Sequence, residues 1–219
     1  MEGDQLINFC HPKLCSTVSC NTCSSETYEE TNLLSPDPSK VRRGFMADRF
    51  IKPPVDIQVN FKYSVSLSHV ILWPRVGQQK SSGFEVVSSY SDRHCSMTER
   101  IGSCYLSETD EGVIFFCPQK FGREKSCPQQ PQFVKRSFSW QRMSAISDVK
   151  SITIRIVRTN NSAVPALGKI EIWGQPGYRT SHQERRELWR LWNQQSAEID
   201  TPTKKGTVHL CNLLGTTLS

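Results

Sequence analysis

The densest group of reactive side chains lies near the start of the sequence: Cys10, His11, Cys15, Cys20 and Cys23. Zinc takes four tetrahedral thiolate or imidazole ligands, usually from two knuckles spaced a dozen or more residues apart. Cys20-x-x-Cys23 has the form of a knuckle. Cys10 and Cys15 are too close to it for a common finger, and His11 cannot easily point the same way as Cys10 in an extended segment. The spacing therefore predicts no metal, and thiols that pack as small hydrophobes. A redox Cys-x-x-Cys needs a helix N-terminus in a βαβ setting, and no such pattern surrounds Cys20. The nine cysteines are an odd number and argue against a fully paired disulfide framework.

Hydrolytic chemistry has no signature. The sequence contains no Gly-x-Ser-x-Gly, His-Glu-x-x-His or Gly-x-x-x-x-Gly-Lys. His11, His69, His94, His182 and His209 are scattered. His94 stands beside Cys95, but neighbours in an extended chain point in opposite directions, and no orienting carboxylate accompanies them. No catalytic residue and no cofactor is expected, and no small-molecule substrate is evident.

Binding chemistry is better represented. Trp73-Pro74-Arg75 follows an apolar stretch and should sit at one end of the fold. An exposed Trp beside an Arg is hot-spot chemistry for a protein or a sugar; the alternative is a Trp73 that plugs the core. The net charge is +6, and its excess is concentrated. Between Gln119 and Arg158, Lys120, Arg123, Lys125, Lys135, Arg136, Arg142, Lys150, Arg155 and Arg158 face only Glu124 and Asp148. Such a stretch steers an acidic protein. Nucleic acid is the alternative ligand for it, and no nucleic-acid-binding motif supports that. The expected partner-binding residues are Trp73, Arg75, His94, Lys135, Arg136 and Arg155.

These residues must be carried by strands. Val55, Ile57, Val59 and Phe61 alternate with Asp56, Gln58, Asn60 and Lys62, the period-two pattern of a half-buried strand. Val65 and Leu67 begin another, and Val70-Ile71-Leu72 breaks its alternation, as a bulge or a doubly buried strand would. Phe84–Tyr90, Val113–Phe116 and Phe133–Trp140 read as further strands. Ser151–Arg158 and Lys169–Trp173 alternate again and close at Gly174. Seven or so short strands with turn-rich spacers indicate an all-β fold. That closing pair resembles the end of discoidin-like, galactose-binding-type β-sandwiches, or jelly rolls. Ser181 and Glu184 then form a capping box, and Leu188, Leu191 and Trp192 share one helical face. Trp173 points away from Ile170 and Ile172 and is expected to lie under that helix.

The expected organisation is a Cys-containing, partly ordered segment over residues 1–45 and a β-sandwich binding domain over 46–177. An amphipathic helix over 178–197 and a disordered tail over 198–219 follow. The opening Met1–Phe9 has no basic and apolar leader, and no run is long enough to span a bilayer. An intracellular protein that binds no membrane is therefore expected.

Several segments read together carry a family resemblance: Ile7–Cys10, Cys20-Asn21, Tyr28-Glu29, Asn32–Ser35, Gly44-Phe45, Phe50–Val55 and Leu167–Pro176. Phe50–Val55 and Ile172–Pro176 are the most specific of them. In this order they resemble the N-terminal region of a family of U-box ubiquitin ligases, over roughly residues 5–195. The resemblance implies a nuclear protein of the ubiquitin conjugation pathway, with ubiquitin-conjugating enzymes or chaperones as partners. A U-box does not fit after Pro176. The expectation is thus the recognition part of such a ligase, without its catalytic unit. Ligase activity retained through another surface and glycan binding are the competing expectations.

Overall fold

The computed structural model describes residues 6–14, 16–34, 43–75, 81–91, 96–106, 113–116, 146–160 and 163–200. Its strands are β1 (Ile7–Asn8), β2 (Ser16–Cys20), β3 (Phe45–Met46), β4 (Val55–Trp73), β5 (Ser81–Ser91), β6 (Ser96–Tyr105), β7 (Ile114–Phe116), β8 (Ile146–Thr159), β9 (Ala166–Leu167) and β10 (Lys169–Pro176). One helix, α1 (His182–Asp200), follows them.

The organising element is β4. Two strands were expected there; the chain forms one of 19 residues. Its pairing register slips between Asn60 and Leu67, so its two halves serve different neighbours. The first half pairs with β2 on one side and β8 on the other, and the second half with β10 and β7. The main ladder runs β1-β10-β4-β8-β5-β6, all antiparallel. A short ribbon, β3 with β9, crosses one end.

Period-two burial explains this arrangement. Val55, Ile57 and Val59 of β4, Ile152, Ile154 and Ile156 of β8, and Ile170 and Ile172 of β10 point inward and are fully buried. Burying a Val, Leu or Ile side chain stabilises by about 1.5–3 kcal/mol, so this alternation dictates which face of each strand is inside. The broken alternation at Val70 has a specific cause. His69 and Val70 are both buried although they point to opposite faces, because the outer face at His69 is itself covered by aromatic rings.

The N-terminal segment is built into the sandwich, so a boundary at residue 45 separates nothing. β1 pairs with β10 and β2 with β4. Ile7, Phe9, Leu14, Leu33 and Leu34 belong to the same core as β4 and β8. The expected strand over Phe133–Trp140 and residues 201–219 of the expected tail lie outside the described residues, and the first three residues of that tail, 198–200, belong to the helix.

The helix is docked on the sandwich. Ser181 N–H donates to Glu184 Oε2 at 2.7 Å and Glu184 N–H to Ser181 Oγ at 3.3 Å, the two arms of the capping box. Leu188 is buried, and Trp189, Leu191 and Trp192 pack against the core. A polar latch holds the entry to the helix. Asp148 Oδ1 accepts from Ser64 Oγ and from Arg179 N–H, each at 3.1 Å. The Arg185 guanidinium donates to Gly177 O at 2.7 Å and Thr180 O at 3.1 Å.

Candidate binding end of the sandwich

Strand pairing gathers several segments at one end of the molecule. β4 ends at Trp73, which pairs with Lys169 at the start of β10. Gly168 N–H donates to Trp73 O at 2.8 Å, and Ala47 N–H to Pro165 O at 2.8 Å. Ala166 N–H donates to Ser81 Oγ at 2.8 Å, which brings the start of β5 to the same place. Gly44 makes this approach possible. It has φ +61, and a β-carbon there would strike the carbonyls of Leu167 and Gly168.

Trp73 is 44% exposed and does not plug the core. Lys169 Nζ lies 5.6 Å from the centroid of its ring, within cation–π range. The same ammonium is 2.6 Å from Glu171 Oε1. Glu171 Oε2 in turn accepts from Trp173 Nε1 at 2.9 Å. Trp73, Lys169, Glu171 and Trp173 thus form a connected row on the outer face of β4 and β10.

Arg75 is held through one guanidinium nitrogen and through the face of the group. Nη1 donates to Arg43 O at 2.8 Å, and the group lies 4.4 Å from the centroid of the Tyr28 ring. An arginine fixed in this way loses less side-chain entropy on binding than a free one. The result is an exposed indole with an ammonium over its ring, followed two residues later by a preset guanidinium. Such a surface can hold an acidic or aromatic ligand.

The other expected residues are not gathered here. Arg155 lies on β8, and its guanidinium clasps Asp56 of β4 through two hydrogen bonds of 2.7 and 2.9 Å. Those bonds keep it more firmly protonated than an ordinary arginine. No described contact joins it to Trp73 or Arg75. His94, Lys135 and Arg136 lie outside the described residues. Sequence reasoning passed over Tyr28, Lys169 and Glu171. Lys169 and Glu171 were readable as the outward half of the β10 alternation. Tyr28 offered no periodic signal.

His69 is part of the scaffold. It stacks on Phe115 at 4.8 Å and on Trp173 at 6.2 Å, and its Nδ1 lies 3.1 Å from Ser68 Oγ. Burial lowers its pKa to about 4, against an opposing pull from Glu171. Among the cysteines, Cys10 and Cys104 are buried, Cys20 is half-buried and Cys23 is exposed. Burial pushes the Cys10 and Cys20 thiols up. Among the described residues no three metal-ligating side chains come together, and no helix is long and apolar enough to cross a membrane.

Comparison with known proteins agrees with this architecture. The fold is that of discoidin-like, family 32 carbohydrate-binding modules. The family 32 module of NanJ from C. perfringens, solved in complex with galactose, superposes with TM-score 0.53 at 10% identity, covering 77% of this chain and 99% of the module. Chitosan-binding module 1 of a chitosanase/glucanase from Paenibacillus sp. IK-5 gives 0.52 at 11% identity, with coverages of 76% and 98%. In sequence, the chain is 26% identical to RING finger protein 37 of Homo sapiens over 204 residues, 82% of this chain. It spans 38% of the length of that relative. The model of a family of unknown function, DUF5918, matches residues 8–196, and the chain belongs to that family.

Proposed function

We propose that this chain is a protein-recognition module of a ubiquitin-ligase-related protein, and that it docks its partner on the Trp73–Arg75 end of the sandwich. The observation that carries this reading is the fixed Arg75 guanidinium, held on Tyr28 and Arg43 two positions along the chain from the exposed Trp73. Aromatic and arginine anchors that are rigid before binding concentrate affinity. The similarity to RING finger protein 37 supplies the setting. On that setting the proposed pathway is ubiquitin conjugation, the proposed partners are conjugating enzymes or chaperones, and the proposed location is the nucleus.

The test is binding of purified chain to a panel of ubiquitin-conjugating enzymes and chaperones. Trp73→Ala with Arg75→Ala is expected to weaken capture while the domain still melts cooperatively. Unchanged capture in the double variant would remove this surface from the reading.

A second reading, carbohydrate binding, draws on the galactose and chitosan named for two fold neighbours. Its local support is the exposed Trp73 ring beside Lys169 and Glu171, a stacking surface with polar neighbours. A glycan array without hits discards it.

A further inference from the structure

Phe50 is 91% exposed, more than any other large apolar side chain among the described residues. It occupies the third position of a turn closed by Ile51 N–H to Asp48 O at 3.3 Å, with φ +71. That backbone region suits glycine, and a phenylalanine there costs free energy. The turn is tied down. Asp48 N–H donates to Cys23 O at 3.0 Å, and Arg49 N–H to Asp48 Oδ1 at 2.7 Å. Ala47, next to the turn, is bonded to Pro165 in the loop that also meets Trp73 through Gly168. A bulky apolar side chain is thus held outward on a fixed turn at the binding end. Neither burial nor backbone preference accounts for it.

The surroundings indicate what covers it. Arg49 and Lys52 flank Phe50 and are exposed, and among the described residues neither forms an ion pair. Glu26, Glu29 and Asp48 are exposed on the same turn and on the neighbouring loop. On the turn itself Arg49 and Lys52 outweigh Asp48, so a narrow acidic segment seated there meets a net positive charge, whereas a broad anionic lipid surface also meets Glu26 and Glu29. We propose that Phe50 is a docking anchor for an acidic protein segment. The segment's apolar side chains pack on the Phe50 ring, and its carboxylates meet Arg49 and Lys52. The proposal rests on the reading that this end docks a protein.

A displayed random-peptide library selected on the wild-type chain and counter-selected on Phe50→Ser tests it. Enriched peptides are expected to pair Asp or Glu with apolar residues. Their affinity should fall about tenfold or more in Phe50→Ser, as for loss of an aromatic anchor. Arg49→Gln with Lys52→Gln should weaken binding and flatten its salt dependence. Phe50→Gly, which suits the turn, should lose affinity equally and so separates binding from folding. No enrichment over the counter-selection overturns the proposal. Peptides that survive Phe50→Ser but are lost in Trp73→Ala with Arg75→Ala also overturn it, and leave the docking reading standing. Phe50-dependent sedimentation with phosphatidylcholine/phosphatidylserine vesicles would assign the residue to lipid instead. A Phe50-dependent dimer in analytical ultracentrifugation would assign it to a second copy of this chain.

Discussion

The ring of Trp192 meets the ring of Trp173 edge-on, with centroids 5.9 Å apart and planes at 83°. This contact joins α1 to the outer face of β10, and it continues through Trp173 to His69 and Phe115. The helix therefore packs on Trp173, the ring that in turn covers His69.

Removing that packing should weaken the whole domain. Trp192 is half-buried, so Trp192→Ala is expected to cost about 2 kcal/mol, below the value for a fully buried aromatic. Leu188 is completely buried, and Leu188→Ala should cost about 2–5 kcal/mol. Guanidinium unfolding followed by tryptophan fluorescence and by far-ultraviolet dichroism measures both. A single shared transition is expected; separate transitions would show that the helix is not part of the cooperative unit.

Arg155 separates structure from binding. Its guanidinium is engaged by Asp56, and its side chain is 44% exposed. A solvent-screened pair of this kind contributes at most about 1 kcal/mol. Arg155→Gln should therefore lower stability by less than that and leave partner capture unchanged. A double-mutant cycle with Asp56→Asn reads the pair, and the binding assay reads the rest. Lost capture would return Arg155 to the binding surface.

What was legible in the sequence follows the physics of alternation. β4, β8 and β10 bury every second side chain, so their apolar residues recur at period two, and the all-β class follows. β6 was missed because few of its inward positions are apolar beyond Ile101 and Cys104; it is an end strand of the ladder, with Thr98 and Arg100 exposed and the polar Glu99 bonded to Tyr90. β2 escaped for the same reason, since Ser16, Thr17 and Ser19 give no apolar rhythm. The helix was readable from Ser181, Glu184 and the Leu188–Trp192 face. The site was legible only at Trp73 and Arg75, because its other members meet through long-range pairing. Tyr28 reaches Arg75 across 47 positions of chain (75 − 28), a relationship that no local pattern encodes.

His69 gives the domain a pH dependence on the acid side. The buried ring takes a proton only near pH 4, whereas in the unfolded chain it does so near 6.5. Between those values the unfolded state holds the extra proton, so stability falls as the pH drops from 6.5 toward 4. The slope reaches about 1.4 kcal/mol per pH unit, on the order of 3 kcal/mol over the window. His69→Phe keeps an aromatic between Phe115 and Trp173 and should flatten this part of the profile. Urea unfolding at a series of pH values measures it. A profile of the same slope in the variant would assign the effect to other groups.

The two positive-φ positions near the binding end should respond in opposite ways. At Gly44, φ is +61 and a β-carbon would collide with the backbone of Leu167 and Gly168. Gly44→Ala therefore combines an unfavourable backbone conformation with a clash that only movement of β9 can relieve. It is expected to cost several kcal/mol and to open the β3–β9 ribbon. At Phe50, φ is +71 but the side chain is almost wholly in solvent, so little packing is lost with it. Phe50→Gly relieves about 1–2 kcal/mol of backbone strain. Against this stands about 0.5–1 kcal/mol from the greater freedom of glycine in the unfolded chain. The midpoint of thermal unfolding should stay level or rise by a few degrees. Differential scanning calorimetry of both variants beside the wild type decides the matter. A large fall in the Phe50→Gly midpoint would mean that the ring packs against the domain, and would remove the reason to regard it as held out for a partner.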